Sequence, residues 1–477
     1  MPRQAGGSSP KRGARSAATY LAMLAGTVAV FLLVRALGTG LDAPTGAGGG
    51  TFAAGGGSHA SPGGGTLFHV LLALAVVLAA ARLIGKLFAR IGQPAVVGEI
   101  AAGILIGPSL LGRVAPELSA YLLPPEVAPV LGALSQVGVL LFLFLVGLEI
   151  DLALLGERGR TSIAVSHASI VVPFLLGAGL ALYLYPRLAT SDVPFPVFAL
   201  FLGVSLSVTA FPVLARILTD RRLQGTPLGT MALACAAVDD VTAWCLLAFV
   251  VGVARAEPGQ ALLTLALTVG YVVLMVAVVR PAAAWFARRQ EARAEEGHGA
   301  MAVVFLALLL SSLATEAIGI HALFGAFLLG ALVPHDSALA RRVRAKLEDV
   351  VIVLLLPAFF AFVGLRTEIG MIRGARDWAL CALIVLVASL GKFGGSALAA
   401  RLTGTGWREA AALGVLMNTR GLMELVVLTI GLELSVLSPR LFAMLVIMAL
   451  VTTFATTPAL TMITRAAPSS APLRATD

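Results

Sequence analysis

Between residues 66 and 464 the chain is a succession of apolar stretches, each about 20 residues long, parted by short polar loops. That is the length an α-helix needs to cross the hydrocarbon core of a bilayer. The apolar share is 58%, the charged share only 12% and the mean hydropathy +0.96. A soluble domain carries about 25% charged residues, so this chain cannot dress a water-facing surface of ordinary size, and no large soluble domain fits. The net charge of +9 reads as loop charge on the cytoplasmic side of a membrane protein rather than as a nucleic-acid footprint. Cys235, Cys245 and Cys381 each sit inside an apolar run. They suggest no disulfide framework and are too scattered for a metal site.

The expected fold class is all-α, a multi-pass membrane protein. Residues 1–65 form an N-terminal tail: basic residues, one apolar stretch from about Ala18 to Leu37, then a Gly-rich linker at 38–65 that reads as flexible. The apolar stretch is either a signal sequence or an extra anchor helix, and the lack of a convincing cleavage site favours the anchor. Residues 66–464 form the transmembrane domain, with helices expected at 66–89, 94–112, 126–148, 161–185, 194–217, 227–253, 259–287, 300–317, 319–334, 347–366, 378–402, 408–431 and 438–464. Residues 465–477 make a short tail. With a cytoplasmic N-terminus, the inside loops and tails hold roughly 22 Lys and Arg against roughly 8 outside, a strong positive-inside bias that also places the C-terminus in the cytoplasm.

Thirteen helices divide as six, one and six, so the two sets of six have opposite topology, the pattern of an inverted-repeat transporter. The fifth and twelfth helices then correspond, and both are interrupted midway. One reads Ser205-Leu-Ser207-Val-Thr209-Ala-Phe-Pro212, the other Asn418-Thr419-Arg420-Gly421. Paired broken helices at matching positions point to an ion site near the midplane, with Ser207, Thr209, Asn418 and Thr419 as supporting oxygens. Two kinked helices whose hydroxyls bond their own backbone would look the same in sequence.

Two adjacent carboxylates, Asp239 and Asp240, lie mid-span in Ala234-Cys-Ala-Ala-Val-Asp239-Asp240-Val-Thr242. Insertion scales put such a residue at about +2.5–3.5 kcal/mol, and structure alone gives no reason to tolerate two. Lys392 lies mid-span in Leu390-Gly-Lys392-Phe-Gly-Gly395, a natural partner for one of them and too deep to snorkel easily. Arg420 and Glu424 are spaced for an intrahelical ion pair, a structural role. Glu99 sits near an interface, where a carboxylate costs less. His321 could respond to pH or simply be a hydrogen-bonded packing residue.

Hard monovalent cations prefer oxygen ligands, as harder divalent ions do. Desolvation favours the neutral form of a carboxylic acid, so proton and cation compete for one buried carboxylate. If only a loaded site can cross the barrier, competition enforces exchange. The residues alone therefore imply a cation/proton antiporter, with the bilayer, a monovalent cation (Na+, Li+ or K+) and H+ as partners, no cofactor, no nucleic acid and no enzymatic chemistry. Three other readings stay open: a potassium efflux antiporter or channel-like protein, an intramembrane aspartyl protease, and a sensor that has lost transport. The protease is disfavoured because both aspartates sit on one helix and no Gly-x-Gly-Asp occurs.

The chain resembles the second family of bacterial cation:proton antiporters, close to the branch of the plant cation/H+ exchangers. The resemblance rests on QPAVVGEIAAGILIGPSLLG at 93–112, GVLLFLFLVGLEIDL at 138–152, SLSVTAFPVLARIL at 205–218 and AAVDDVTAW at 236–244. It continues through GIHALFGAFLLGALVP at 319–334, LLLPAFFAFVGLRTEI at 354–369 and NTRGLMELVVLTIGLELSVLSPRLFAMLVIMALVTTF at 418–454. It implies a dimerisation domain and a mobile core of the fourth to sixth and eleventh to thirteenth helices, with the fifth and twelfth unwound where they cross. It further implies that Asp240 binds the ion, that Asp239 pairs with Lys392, and that the protein is a homodimer in the bacterial inner membrane. The twin aspartate resembles the sodium exchangers, the flanking sequence the potassium-associated plant type. The large cytosolic C-terminal region of the plant and potassium-efflux members is not expected here.

Overall fold

The computed structural model describes residues 10–43, 64–149, 160–223, 226–255, 261–293 and 298–465. Residues 44–63 of the expected linker and 466–477 of the expected tail lie outside them. Among the described residues every regular element is helical. In chain order these are α1 (Pro10–Gly38), α2 (Gly64–Arg90), α3 (Ala95–Ile106), the short α4 (Leu111–Val114) and α5 (Pro116–Leu122), α6 (Val127–Glu149), α7 (Arg160–Leu188), α8 (Phe195–Ser207), α9 (Phe211–Asp220) and α10 (Pro227–Arg255). There follow α11 (Ala261–Leu274), α12 (Arg280–Arg293), α13 (His298–Ile318), α14 (Ala322–Leu332), α15 (Ala338–Val350), α16 (Leu356–Arg366), α17 (Gly374–Ser389), α18 (Gly395–Leu402), α19 (Trp407–Met417), α20 (Leu422–Glu433) and α21 (Pro439–Arg465). Single π-turns join α11 to α12, α15 to α16 and α17 to α18, at Met275–Val279, Val351–Leu355 and Leu390–Gly394.

Among the described residues, eleven helices are long and apolar enough to cross a bilayer, and twelve if α19 and α20, bent by 43° at their break, count as one span. The span expected at 319–334 is the 11-residue α14, only about 16 Å long at 1.5 Å per residue. Gly319 and His321 both have positive φ. The chain turns there, so the apolar run is not one straight helix.

Helix contacts fall into two groups: α7–α10 with α17–α21, and α2, α3 and α6 with α13, α14 and α16. Glycine makes the close approaches within the second. A Cβ on Gly364 would stand 2.1 Å from the Gly103 carbonyl carbon, and one on Gly330 2.3 Å from the Phe144 carbonyl oxygen, the small-residue contact by which helices associate in lipid. In the first group α8 is buried along its length. It stops because Pro212 opens α9 and cannot lie deeper in a helix. The extra helix α1 leans on this group: the Phe31 ring lies 6.0 Å from that of Phe174, and Gly38 abuts the Phe195 ring.

Candidate functional site

The two interruptions meet. Between α8 and α9 the chain is extended at Val208 and Ala210, and α19 gives way to α20 across Asn418–Gly421. The Ala210 N–H donates to the Thr419 carbonyl at 3.1 Å, tying one break to the other. Beside this crossing runs the middle of α10. Successive residues on a helix point about 100° apart, so Asp239 and Asp240 face different surroundings.

Asp239 is fully buried and fully partnered. Ser166 donates to its Oδ1 at 2.8 Å and Thr209 to its Oδ2 at 2.8 Å. Ser169 also donates to Oδ2. The Lys392 ammonium stands 3.2 Å from the same oxygen with both side chains wholly buried and donates to the Thr209 hydroxyl as well. Lys392 lies in the π-turn Leu390–Gly394, a device frequent at functional sites. The flanking glycines let this turn press on α7: a Cβ on Gly391 would stand 2.8 Å from Pro173 Cα, and one on Gly395 3.0 Å from the Ala168 carbonyl oxygen. Five residues from four places, α7, the α8–α9 break, α10 and the π-turn, thus share one buried polar cluster.

Asp240 is the opposite case. It is 1% exposed, and neither of its oxygens closes a hydrogen bond, although the backbone N–H of Phe211 at the start of α9 faces the carboxylate. Asn418 Oδ1 and Thr419 Oγ1, in the other break, are also buried without hydrogen-bond partners. Buried polar atoms are rarely left so. This set of unclaimed oxygens, one a carboxylate, is what a hard cation takes as ligands and what a proton can satisfy in its place.

Arg420 and Glu424 form the expected pair, at 3.1 Å and wholly buried. Arg420 does more. It donates to the carbonyls of Ser205 at 3.0 Å and Leu206 at 2.7 Å, two of the orphan acceptors at the end of α8, while Thr453 bridges its own N–H and carbonyl. One guanidinium therefore fixes the broken end of α8 to α20. Ser207 turns away from the site, donating to Gly203 at 2.7 Å and Ile170 at 3.1 Å. His321 and Glu99 are not part of the cluster. His321 precedes α14 and accepts from the Leu323 N–H. With Glu316, Arg255 and Glu433 it lines a cavity of about 450 Å³ between the two helix groups. Glu99, on α3, packs against Gly85. Sequence reasoning missed Ser166 and Ser169. Their only signal was two hydroxyls three residues apart on an apolar helix, which more often bond their own backbone.

Residues 70–466 match the family model described as "Sodium/hydrogen exchanger, transmembrane". The Na+/H+ antiporter NhaS4 of Synechocystis is 44% identical over 395 residues, 82% of this chain and 96% of that protein. Cation/H+ antiporter 20 of Arabidopsis thaliana is 42% identical over 80% of this chain, and the K+/H+ antiporter 1 of Saccharomyces cerevisiae 33% over 80%. The chain spans about half the length of these last two, 47% and 45%. The fold is similar to that of the sodium proton antiporter MjNhaP1 of Methanocaldococcus jannaschii, with a TM-score of 0.59 at 15% identity over 84% of this chain and 99% of that one. A helical membrane chain, two crossed helix breaks and a family match that runs from α2 to the end of α21 lead to one conclusion: the protein belongs to the sodium/hydrogen exchanger family.

Proposed function

We propose that the protein exchanges a monovalent cation for protons across the bacterial cytoplasmic membrane, by alternating access about Asp240. The observation that carries this reading is the contrast within the aspartate pair. Asp239 has every oxygen satisfied by Ser166, Ser169, Thr209 and Lys392, whereas Asp240 is buried with none. A buried carboxylate without partners is costly, and a bound cation or proton removes that cost. Asp240 binds and releases; Asp239 holds Lys392. Asn418, Thr419 and freed backbone carbonyls at the crossing supply neutral oxygens.

Sodium is the favoured ion, following the Synechocystis relative. Potassium is the second reading, favoured by the yeast K+/H+ relative. If Lys392 carries a second proton, each cycle moves net charge, and the membrane potential drives it with about 2.3 kcal/mol per 100 mV. The group α7–α10 with α17–α21 then moves as the core against α2, α3, α6 and α13–α16, which would also join two copies as a homodimer. The Arg-rich loops and the C-terminus face the cytoplasm.

The test is proton flux in proteoliposomes with an internal pH dye, with sodium, lithium, potassium and rubidium added in turn. Asp240→Asn keeps the volume and loses the titrating charge, so it is expected to abolish flux while the protein still purifies as a folded species. Normal cation-driven flux in that variant would sink the assignment.

A further inference from the structure

Two ion pairs cross from one helix group to the other. Arg255, the last residue of α10, donates to Glu316, near the end of α13, at 2.9 Å. Arg366, the last residue of α16, donates to Glu433, the last residue of α20, at 3.3 Å. Arg255, Glu316 and Glu433 border the cavity of about 450 Å³ between the groups, at the end away from the Arg-rich loops. Each group contributes one arginine and one glutamate, so each rim is neutral by itself and complementary to the other.

The partners on the α13–α16 side are held in place. The second carboxylate oxygen of Glu316 accepts from the Ala322 N–H at 2.9 Å, the first amide of α14. The Arg366 guanidinium lies over the Phe362 ring, 4.2 Å from its centroid, a cation–π contact. The partners on the other side terminate the two helices that carry the ion site. Arg255 ends α10, which bears Asp239 and Asp240, and Glu433 ends α20, which starts at the Asn418–Gly421 break. Asp240 and Arg255 lie on one continuous helix, about 22 Å apart at 1.5 Å per residue. A shift of the site along or across the seam therefore carries Arg255 and Glu433 away from their partners.

We propose that the two ion pairs are a latch that closes the outer end of the seam and must break each time the site opens to that side. The inference rests on the two-body reading given above. The four side chains are partly exposed, between 27% and 44%, so each pair is worth at most about fivefold in the balance between closed and open seams, and the two in parallel about 25-fold. A latch of that strength biases the balance and still releases. The apparent affinity for a cation arriving from outside scales with the fraction of molecules open to it. The latch therefore sets that affinity without touching the ion.

The test times the reaction of a water-soluble maleimide with Thr429→Cys in nanodiscs, in full-length protein whose three native cysteines are changed to alanine. Thr429 is 8% exposed on the cavity wall; Val426→Cys, which lines the same cavity, is the second reporter if the first does not fold. Arg255→Gln and Arg366→Gln are each expected to speed labelling about 2–5-fold, and the two together about 4–25-fold. Arg366→Glu alone should speed it too, whereas Arg366→Glu/Glu433→Arg should return it to within about twofold of the parent, because the swapped charges attract again. Arg344→Gln breaks a pair with Glu149 on the α13–α16 side alone and should label as the parent does. Labelling needs no ion flux, so the same series in Asp240→Asn reads the latch whether or not the protein exchanges cations. Parental labelling rates in the Gln variants, no rescue by the charge swap, or equal acceleration by Arg344→Gln would overturn the latch. Normal proton flux alongside any of these would leave the exchange reading standing, and accelerated, swap-rescued labelling without flux in the wild type would sink that reading and keep the latch.

Discussion

Replacing Lys392 and Asp239 singly and together tests the buried cluster most sharply, because the structure predicts unequal losses. Breaking a buried pair strands the remaining charge, typically at about 3–5 kcal/mol. The two strandings differ here. In Lys392→Ala, Asp239 keeps three hydroxyl donors, Ser166, Ser169 and Thr209, and hydrogen bonds to a charged group are worth about 1.5–3 kcal/mol each. That loss should fall near about 3 kcal/mol. In Asp239→Asn, Lys392 loses the carboxylate 3.2 Å away and keeps the Thr209 hydroxyl, so the loss should approach about 5 kcal/mol. The double variant should cost about 5–6 kcal/mol rather than about 8, because partners in contact couple by up to about 3 kcal/mol. Equilibrium unfolding in mixed micelles, followed by tryptophan fluorescence, gives all three values. Losses that add within about 0.5 kcal/mol, or a larger loss for Lys392→Ala than for Asp239→Asn, would refute the argument.

Thr209→Val removes the hydroxyl that donates to Asp239 and accepts from Lys392; apparent cation affinity in proteoliposomes should fall roughly 3–10-fold, and an unchanged concentration dependence would show that the first break does not shape the site. Arg420→Gln frees the Ser205 and Leu206 carbonyls and strands Glu424, so thermal unfolding should show a loss of about 3–5 kcal/mol, partly recovered in Arg420→Gln/Glu424→Gln. Gly391→Ala places a methyl 2.8 Å from Pro173 Cα; it should cost about 1–3 kcal/mol as overpacking and slow exchange by shifting the turn that holds Lys392, and an unaltered melting temperature would show that α7 yields freely there.

Much of this was legible in the sequence because lipid makes polarity conspicuous. Asp239, Asp240 and Lys392 stand out in apolar runs, and Pro212 and Gly421 announce breaks in otherwise helical spans. The glycines around Lys392 suggested close packing, and Gly391 and Gly395 do face α7. Ser166 and Ser169 did not stand out, since a hydroxyl on a membrane helix ordinarily bonds the turn before it and nothing in its spacing tells which choice it makes. The reach of Arg420 to Ser205 and Leu206 crosses more than 200 positions; local spacing showed only its nearer partner, Glu424. The shortness of α14 was hidden because hydropathy sums side chains and is blind to backbone. The window continued across Gly319 and His321, where positive φ turns the chain.

The wide turn at Leu390–Gly394 also sets the phase between the two ends of one membrane crossing. Each residue advances an α-helix by about 100°, and a π-turn holds one residue more than an α-turn. Ahead of it, α17 buries Ile384 and Ala388; beyond it, α18 buries Ser396 and Ala400. Closing the turn to a regular α-turn by deleting one residue would swing one half against the other by about 100°. Either Lys392 would leave Asp239, or Gly395 would leave α7. Position 392 is thus addressed by a local miscount in the helix, and the length of this crossing is constrained to the single residue at a place where hydropathy alone would accept a shorter or longer run.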